Sequence, residues 1–311
     1  MLLAEIQNGA SACGDTGSDP TEKPSWLDLE KFNRGRQFFK EHFISVLLAM
    51  YCSLASGLSV TNLLVPLVHT GRSDTPEKSF KRYISTFKHV VLWHLGNVWD
   101  SRSSAFESVQ LVRRMHRSVA KSINAESSPR LHVSQYDMAL VQCGFMGAVL
   151  TYPEGFGIRC TQSDLEDYIH FWRGIGHLLG MDDKYNLCRG SYEETHSICK
   201  SIEENVLKKA LQSPPYHFQS MADAFIIGSN TLIPFSLFTY NSIFSWIFRM
   251  WNDPSYDFDT ANHLSFTDRV RLRFFQSFCW LLLKFPSVER LVNSWFINKW
   301  YAVLKIEKDS S

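Results

Sequence analysis

Glycine and proline are scarce in this chain, whose 311 residues include 16 Gly and 11 Pro. A composition this poor in turn-forming residues disfavours collagen-like, low-complexity and many-turn β folds. Strict alternation of apolar and polar residues is also rare, whereas apolar residues recur at helical spacing over long segments. The sequence therefore predicts a helical protein.

Charge imbalance and paired cysteine motifs are missing as well. The net charge is +1, which gives no reason to expect a nucleic-acid partner. The seven cysteines are scattered, odd in number and without a CxxC motif. They indicate reduced thiols in an intracellular protein rather than a disulfide framework or a zinc site. No Walker A motif, Rossmann glycine fingerprint, GxSxG motif or kinase signature occurs, so other features must indicate the function.

Large apolar side chains are abundant instead, since hydrophobic residues make up 45% and aromatic residues 14% of the chain. We predict an all-α fold, a single large globin-like multi-helix domain with buried apolar helices. The expected division is a flexible N-terminal tail at 1–24, one domain at 25–305 with its core motifs at 76–188, and a flexible C-terminus at 306–311. Helical periodicity predicts helices near 27–41, 42–58, 76–95, 104–123, 133–150, 163–179, 191–212, 216–229, 236–250, 265–284 and 287–304.

Two uncharged runs, Phe43–Val68 and Ala224–Phe248, are long enough to span a bilayer. Polar residues and prolines interrupt both runs, which favours buried helices over lipid-facing spans. We expect the first run to be core. The second is followed by Arg249 and Trp251, a combination typical of a membrane boundary, so we expect peripheral membrane contact at 224–251.

His116 occupies a position where a helix should carry a core hydrophobe. In the helix predicted near 104–123, it lies on the apolar face between Val112 and Val119, at steps of four and three residues. A buried imidazole needs a partner, because an unpaired buried polar group costs roughly 1–3 kcal/mol. That partner is either a protein group such as a backbone carbonyl or the metal of a cofactor.

Arg82 and Thr86 are neighbours one turn apart on the helix predicted at 76–95. They belong to a stripe beside the apolar face of that helix. An arginine on a half-buried aromatic face needs an anion. The anion is either an Asp or Glu side chain, in a structural ion pair, or the propionate of a cofactor.

A second polar stripe, formed by His170, Arg173 and His177, runs along the helix predicted at 163–179. The two histidines are seven residues apart, or about 10 Å along the helix axis. This distance is too long for both to bind one metal ion, unlike the HExxH spacing. The stripe is either functional or a set of structural polar contacts.

Four segments together resemble the rubber oxygenase (latex-clearing protein) family, which includes the ER-bound oxygenase of mycophenolic acid biosynthesis. They are KRYISTFKHV (81–90), VRRMH (112–116), SQYDMALVQCGF (134–145) and HFWRGIGHLLGMDDKYNLC (170–188). The resemblance covers roughly 26–211. It implies an all-α protein that holds heme b and uses dioxygen to cleave an unactivated carbon–carbon double bond.

The resemblance also assigns roles to residues of this chain. Arg82 and Thr86 match an RxxxT pair near the heme, and His116 matches the axial iron ligand. Three differences accompany the match. Ser85 stands where rubber oxygenases can carry a distal lysine, and Gln142 stands where many bacterial relatives carry a histidine. The stretch 43–73 has no acidic residue to match the glutamate that the family uses as a base.

We therefore expect a heme b-dependent, O2-using oxidoreductase that acts on an apolar or lipid-like substrate. His116 would bind the iron, Arg82 and Thr86 would be catalytic and cofactor-binding, and the stripe of His170, Arg173 and His177 would lie on the propionate side. The expected location is intracellular, and the endoplasmic reticulum or another endomembrane is compatible with it. The competing hypothesis is a non-catalytic helical protein, membrane-associated or built for interactions, that retains the fold without the chemistry.

Overall fold

The computed structural model describes residues 3–125, 130–232, 236–252 and 264–304. Within these ranges the regular structure is helical and no β-strand forms, which confirms the all-α prediction. The α-helices are α1 (Leu3–Gln7), α2 (Leu29–Glu41), α3 (Phe43–Gly57), α4 (Thr61–Thr70), α5 (Pro76–Leu95), α6 (Ser104–Asn124), α7 (Gln135–Thr151), α8 (Gln162–Leu178), α9 (Tyr192–Ile202), α10 (Lys208–Gln212), α11 (Phe218–Ser229), α12 (Tyr240–Trp251), α13 (Phe266–Lys284) and α14 (Pro286–Leu304).

Sequence signals set several helix starts. Thr75 caps α5 by accepting a hydrogen bond from the backbone N–H of Lys78, and Pro76 occupies the first turn. Helix α6 begins in the same way, because the Ser103 side chain accepts from the N–H of Phe106. These caps fix the first residues of α5 and α6, the helices that carry Arg82, Thr86 and His116.

Helices α3, α7 and α8 form the centre of one hydrophobic core. Helix α3 packs on α7, and α2 packs on α8. Gly35 makes the second crossing possible, since a Cβ there would lie 2.3 Å from the carbonyl oxygen of Asp167. The run 43–68 divides into α3 and α4, and Phe43, Val46 and Met50 are fully buried, as expected for core.

The N-terminal segment is anchored to this helical body. Ile6 in α1 is fully buried, and Asp15 accepts two hydrogen bonds from the Arg113 guanidinium, at 2.8 and 2.6 Å. The expectation of a tail at 1–24 is therefore corrected for the residues from Leu3 onward, because a buried side chain and a buried ion pair hold them. The expected C-terminal tail at 306–311 lies outside the described residues.

Much of the described part of 224–251 packs against the core, while its predicted membrane contact stays a prediction. Trp246 is buried and stacks on Phe275 with ring centroids 5.2 Å apart, and most of α12 is buried with it. None of the described helices is by itself both long and apolar enough to cross a bilayer, although α2 and α3, which meet at 90°, reach that limit as a pair.

Candidate functional site

A cavity of about 730 Å³ is lined by residues of helices α3 to α9 and of α12. This volume falls within the range of about 300–1,000 Å³ that is typical of ligand sites. Its walls are largely apolar, with a few polar groups directed inward; the apolar residues include Leu58, Val60, Leu63, Leu67 and Val90.

His116 lines this cavity from α6. Its Nδ1 is enclosed and has no hydrogen-bond partner among the described residues. The pKa of His116 is lowered to about 4, chiefly by burial and additionally by the positive charge of Arg82, while Asp15 partly opposes both effects. The imidazole is therefore neutral at neutral pH, the form in which a histidine binds a metal. The backbone-carbonyl partner considered for a structural histidine does not occur among the described residues.

Arg82 and Thr86 line the same cavity from α5, which confirms that α5 and α6 bring the three predicted residues together. Arg82 donates from Nη1 to the Thr70 hydroxyl at 2.8 Å. Within the described ranges it forms no ion pair with a carboxylate. Burial lowers its pKa, and the nearby positive charge of Arg72 adds to this effect. The cavity is therefore lined by a half-buried cation, Arg82, and no carboxylate of the described residues neutralises it.

The Thr86 hydroxyl donates to the backbone carbonyl of Arg82 at 3.2 Å, within its own helix. Because its proton is used in this bond, the lone pairs of the oxygen are the part that it can offer to a ligand. Thr86 is therefore suited to accept a hydrogen bond inside the cavity.

The stripe formed by His170, Arg173 and His177 does not share this site. Trp26 lies between the two imidazoles, with ring centroids 5.8 and 6.0 Å away, and the Arg173 guanidinium stacks 4.0 Å from the same indole. Arg173 also forms an ion pair with Asp183 at 2.7 Å. None of these three side chains lines the cavity, because their partners lie in the segment before α2, between α5 and α6, and in the turn after α8. Their assignment to the propionate side stays a prediction.

Gly144 on α7 was not singled out from the sequence, although it lines the cavity. A Cβ built on it would meet nothing within 4 Å. The absent side chain therefore leaves open space against the wall of the cavity. A glycine inside a helix destabilises it by roughly 0.5–1 kcal/mol relative to alanine. The presence of Gly144 within the helix predicted at 133–150 was therefore a sequence signal that could have drawn attention to this position.

Glu203 is the one acidic residue among the described cavity-lining residues, and sequence reasoning missed it. It is buried at the start of a π-helical stretch, Glu203–Leu207, that interrupts the helix predicted at 191–212. Tyr152 donates to its carboxylate at 2.6 Å, and Lys200 forms an ion pair with it, also at 2.6 Å. Burial raises the pKa of Tyr152, and the Glu203 carboxylate raises it further, so the phenol remains protonated.

The chemistry of the lining residues is compatible with a heme group. His116 would offer a ring nitrogen to the iron, Gly144 would leave room at the cavity wall, and the Arg82 guanidinium would pair with a carboxylate of the cofactor. No cluster of three or more His, Cys, Asp or Glu side chains that could hold a metal ion occurs in the parts of the chain that the structure describes.

The fold and the cavity define an all-α protein in which the neutral His116 imidazole lines a largely apolar cavity. Residues 42–212, more than half of the chain, match the family described as ER-bound oxygenase mpaB/B'/Rubber oxygenase, catalytic domain. The chain therefore belongs to this family of oxygenases. A curated relative, the Rubber oxygenase of Streptomyces sp. (strain K30), is 24% identical over 173 residues, which are 52% of this chain and 41% of that protein.

The fold is similar to that of a solved protein as well. The structure titled Latex Clearing Protein LCP in the closed state superposes with a TM-score of 0.61 at 16% sequence identity, covering 97% of this chain and 87% of that one. At this identity the likeness establishes the shared helical fold. The sequence match to the rubber oxygenase spans about two fifths of that protein's length.

Proposed function

We propose that this chain is a heme b-dependent oxygenase that acts on an apolar or lipid-like substrate, with His116 as the axial ligand of the iron. The observation that carries the proposal is the His116 imidazole, which is neutral, lines the cavity and has an enclosed nitrogen without a protein partner. An intracellular, endomembrane-associated location is part of the same proposal.

The polar residues of the cavity have roles in this proposal that follow from their chemistry. Heme, when bound, would supply the binding and activation of dioxygen. Arg82 would neutralise a propionate carboxylate, since it lacks an ion-pair partner among the described residues and already lies at the cavity. The lone pairs of Thr86 would accept a hydrogen bond inside the chamber.

The apolar walls support the proposed substrate class. Leu58, Val60 and Leu63 line the chamber, and an apolar molecule that enters it leaves water without losing hydrogen bonds. The few polar groups would then orient the molecule rather than supply most of the affinity.

The alternative, a non-catalytic protein that kept only the fold, predicts a different environment for the same residues. A degenerate site should pair Arg82, Thr86 and His116 with protein groups and close the space between their helices. Arg82 and Thr86 do bond protein groups, the Thr70 hydroxyl and the Arg82 carbonyl. The cavity, the His116 Nδ1 without a partner in the described ranges, and the lack of a carboxylate beside Arg82 there favour the enzyme.

An absorption spectrum of the full chain, produced with ample heme, tests the proposal. We expect a Soret band that His116→Ala abolishes or shifts. His170→Ala is the matched control, because the structure places this imidazole near Trp26, away from the cavity, and its spectrum should equal that of the unmodified protein. Circular dichroism confirms that both variants are folded. A colourless protein, or a band that only His170→Ala removes, contradicts the proposal.

A further inference from the structure

Helix α13 presents a large apolar face to solvent. Its members are between 36% and 73% exposed: Phe266, Val270, Phe274, Trp280 and Leu281. We call these five residues the α13 face. Phe266, Val270 and Phe274 follow one another at four-residue steps, so they lie on one side of the helix.

The folding of the chain does not require this face. The opposite side of α13 already packs on the core through Leu272, Phe275, Cys279 and Leu282, which recur at three- and four-residue steps and are buried. The α13 face is thus a second apolar stripe, and it is exposed to water. Soluble proteins rarely expose a contiguous apolar patch of this kind unless it is an interaction site.

On the described helices α13 and α14, the exposed charges beside the α13 face are positive. Arg269, Arg273 and Lys284 are exposed on the same helix, and α14 adds exposed Arg290 and Lys299. The acidic residues of these two helices are turned inward. Asp268 accepts from Thr239 at 2.7 Å, and Glu289 pairs with His42 at 2.5 Å.

The positive charges of α13 and α14 distinguish between two possible partners, a second copy of this chain and a lipid surface. Two copies of this chain that paired through the α13 face would bring cations against cations, which is unfavourable. A surface of anionic lipid headgroups is complementary, because it attracts Lys and Arg while its acyl boundary accepts Phe, Trp and Leu side chains. Helix α14 continues the pattern with exposed Leu291 and Trp295, the second of which lies 3.5 Å from the Lys299 ammonium.

We propose that the α13 face docks the protein onto the surface of a bilayer that contains anionic lipids, without spanning it. The aromatic and aliphatic side chains enter the headgroup boundary, and Arg269, Arg273 and Lys284 contact lipid phosphates or carboxylates. This surface replaces the segment 224–251 as the membrane contact, since the aromatic residues of α12 are turned into the core.

Co-sedimentation of the full chain with vesicles tests the proposal. We expect binding to vesicles of phosphatidylcholine mixed with phosphatidylserine, and weaker binding to vesicles of phosphatidylcholine alone. Binding to the mixed vesicles should decline as the salt concentration rises from about 0.1 M to about 1 M, because the Debye length falls from about 10 Å to about 3 Å. Phe274→Glu should reduce the partition coefficient by at least about tenfold. Replacing both Arg269 and Arg273 by Gln should reduce it roughly 25-fold, at about fivefold for each cation.

Tyr216→Glu is the matched control, because Tyr216 is 92% exposed, lies outside α13 and receives the same charge. It should bind vesicles as the unmodified chain does. Equal binding to both kinds of vesicle, or retention of binding by Phe274→Glu, overturns the proposal. So does a concentration-dependent dimer in size-exclusion chromatography that Phe274→Glu abolishes while vesicles are not bound, since the partner would then be a second copy. All variants are exposed-site changes, and a cooperative thermal transition verifies that they fold.

Discussion

Replacing His116 by leucine should stabilise the cofactor-free protein. The enclosed Nδ1 has no partner among the described residues, and such a group costs about 1–3 kcal/mol. Leucine would extend the apolar face between Val112 and Val119 and would remove this cost. Because the imidazole also faces the cavity and is only half-buried, we expect the lower part of the range, a gain of about 1–2 kcal/mol in the free energy of unfolding.

The measurement is urea unfolding of the heme-free protein, with the variant compared at unchanged m-value. The loaded protein should behave in the opposite way, since the unmodified chain alone would gain stability from a ligand that binds only the folded state. A stability gain without heme, combined with a loss of the Soret band, is the signature of a binding residue. A loss of more than 1 kcal/mol in the heme-free variant, on the order of one lost hydrogen bond, would refute the reasoning and mark His116 as a core residue with a partner.

His94 is the matched control for this experiment. It is fully buried and stacks between Phe39 and Phe171, at centroid distances of 3.7 and 4.1 Å, and its Nδ1 bonds the Val90 carbonyl at 2.8 Å. His94→Leu loses both stacks and the hydrogen bond, partly offset by removal of the unpaired Nε2. We expect a destabilisation of about 1–3 kcal/mol and an unchanged absorption spectrum.

Three further outcomes are expected. Gly144→Val places its side chain in open space, so thermal stability should change little while heme retention in a spectral titration falls; equal retention would contradict the assignment of this wall. Asp15→Asn leaves the buried Arg113 guanidinium without its counter-charge and should cost about 3 kcal/mol in urea unfolding, the low end of the range for a broken buried pair because the amide still accepts a hydrogen bond. Burial lowers the pKa of His94 to about 3 and that of His116 to about 4, so the unfolded chain binds more protons below the usual value of 6.5. Stability should therefore fall as pH drops from 6.5 toward 4, by up to about 1.4 kcal/mol per pH unit for each histidine, and His94→Leu should flatten this dependence; an identical pH profile in the variant would be inconsistent with it.

Helical periodicity and capping chemistry were sufficient to predict most of the helices. The pattern at 76–95 begins at Thr75-Pro76 and ends before Gly96, and α5 has these bounds. Helix α4 was missed, because Pro66 and the Thr-Asn pair before it indicated a break. Pro66 lies inside that short helix, past its first turn, so the helix forms although one backbone hydrogen bond is lost.

The same periodicity placed His116, Arg82 and Thr86 on the right faces of α5 and α6, and the cavity confirmed it. Residue spacing within one helix fixes which side chains are neighbours, since the backbone geometry is nearly constant. That rule applies only within one helix. It therefore predicted correctly the positions of residues, such as Arg82 and Thr86, that are neighbours on the same helix.

What lies opposite each face was decided by the tertiary structure. The stripe of His170 and His177 was visible in the sequence, but only the path of residues 22–28 assigns Trp26 to it. Glu203 reaches the cavity through a π-helical stretch that no spacing rule indicated. The apolar residues of α12 and α13 are alike in composition, yet the first are buried and five of the second face solvent. The sequence determines the faces because they follow from covalent helix geometry, whereas the partner of each face depends on contacts between residues far apart in the chain, which local pattern does not encode.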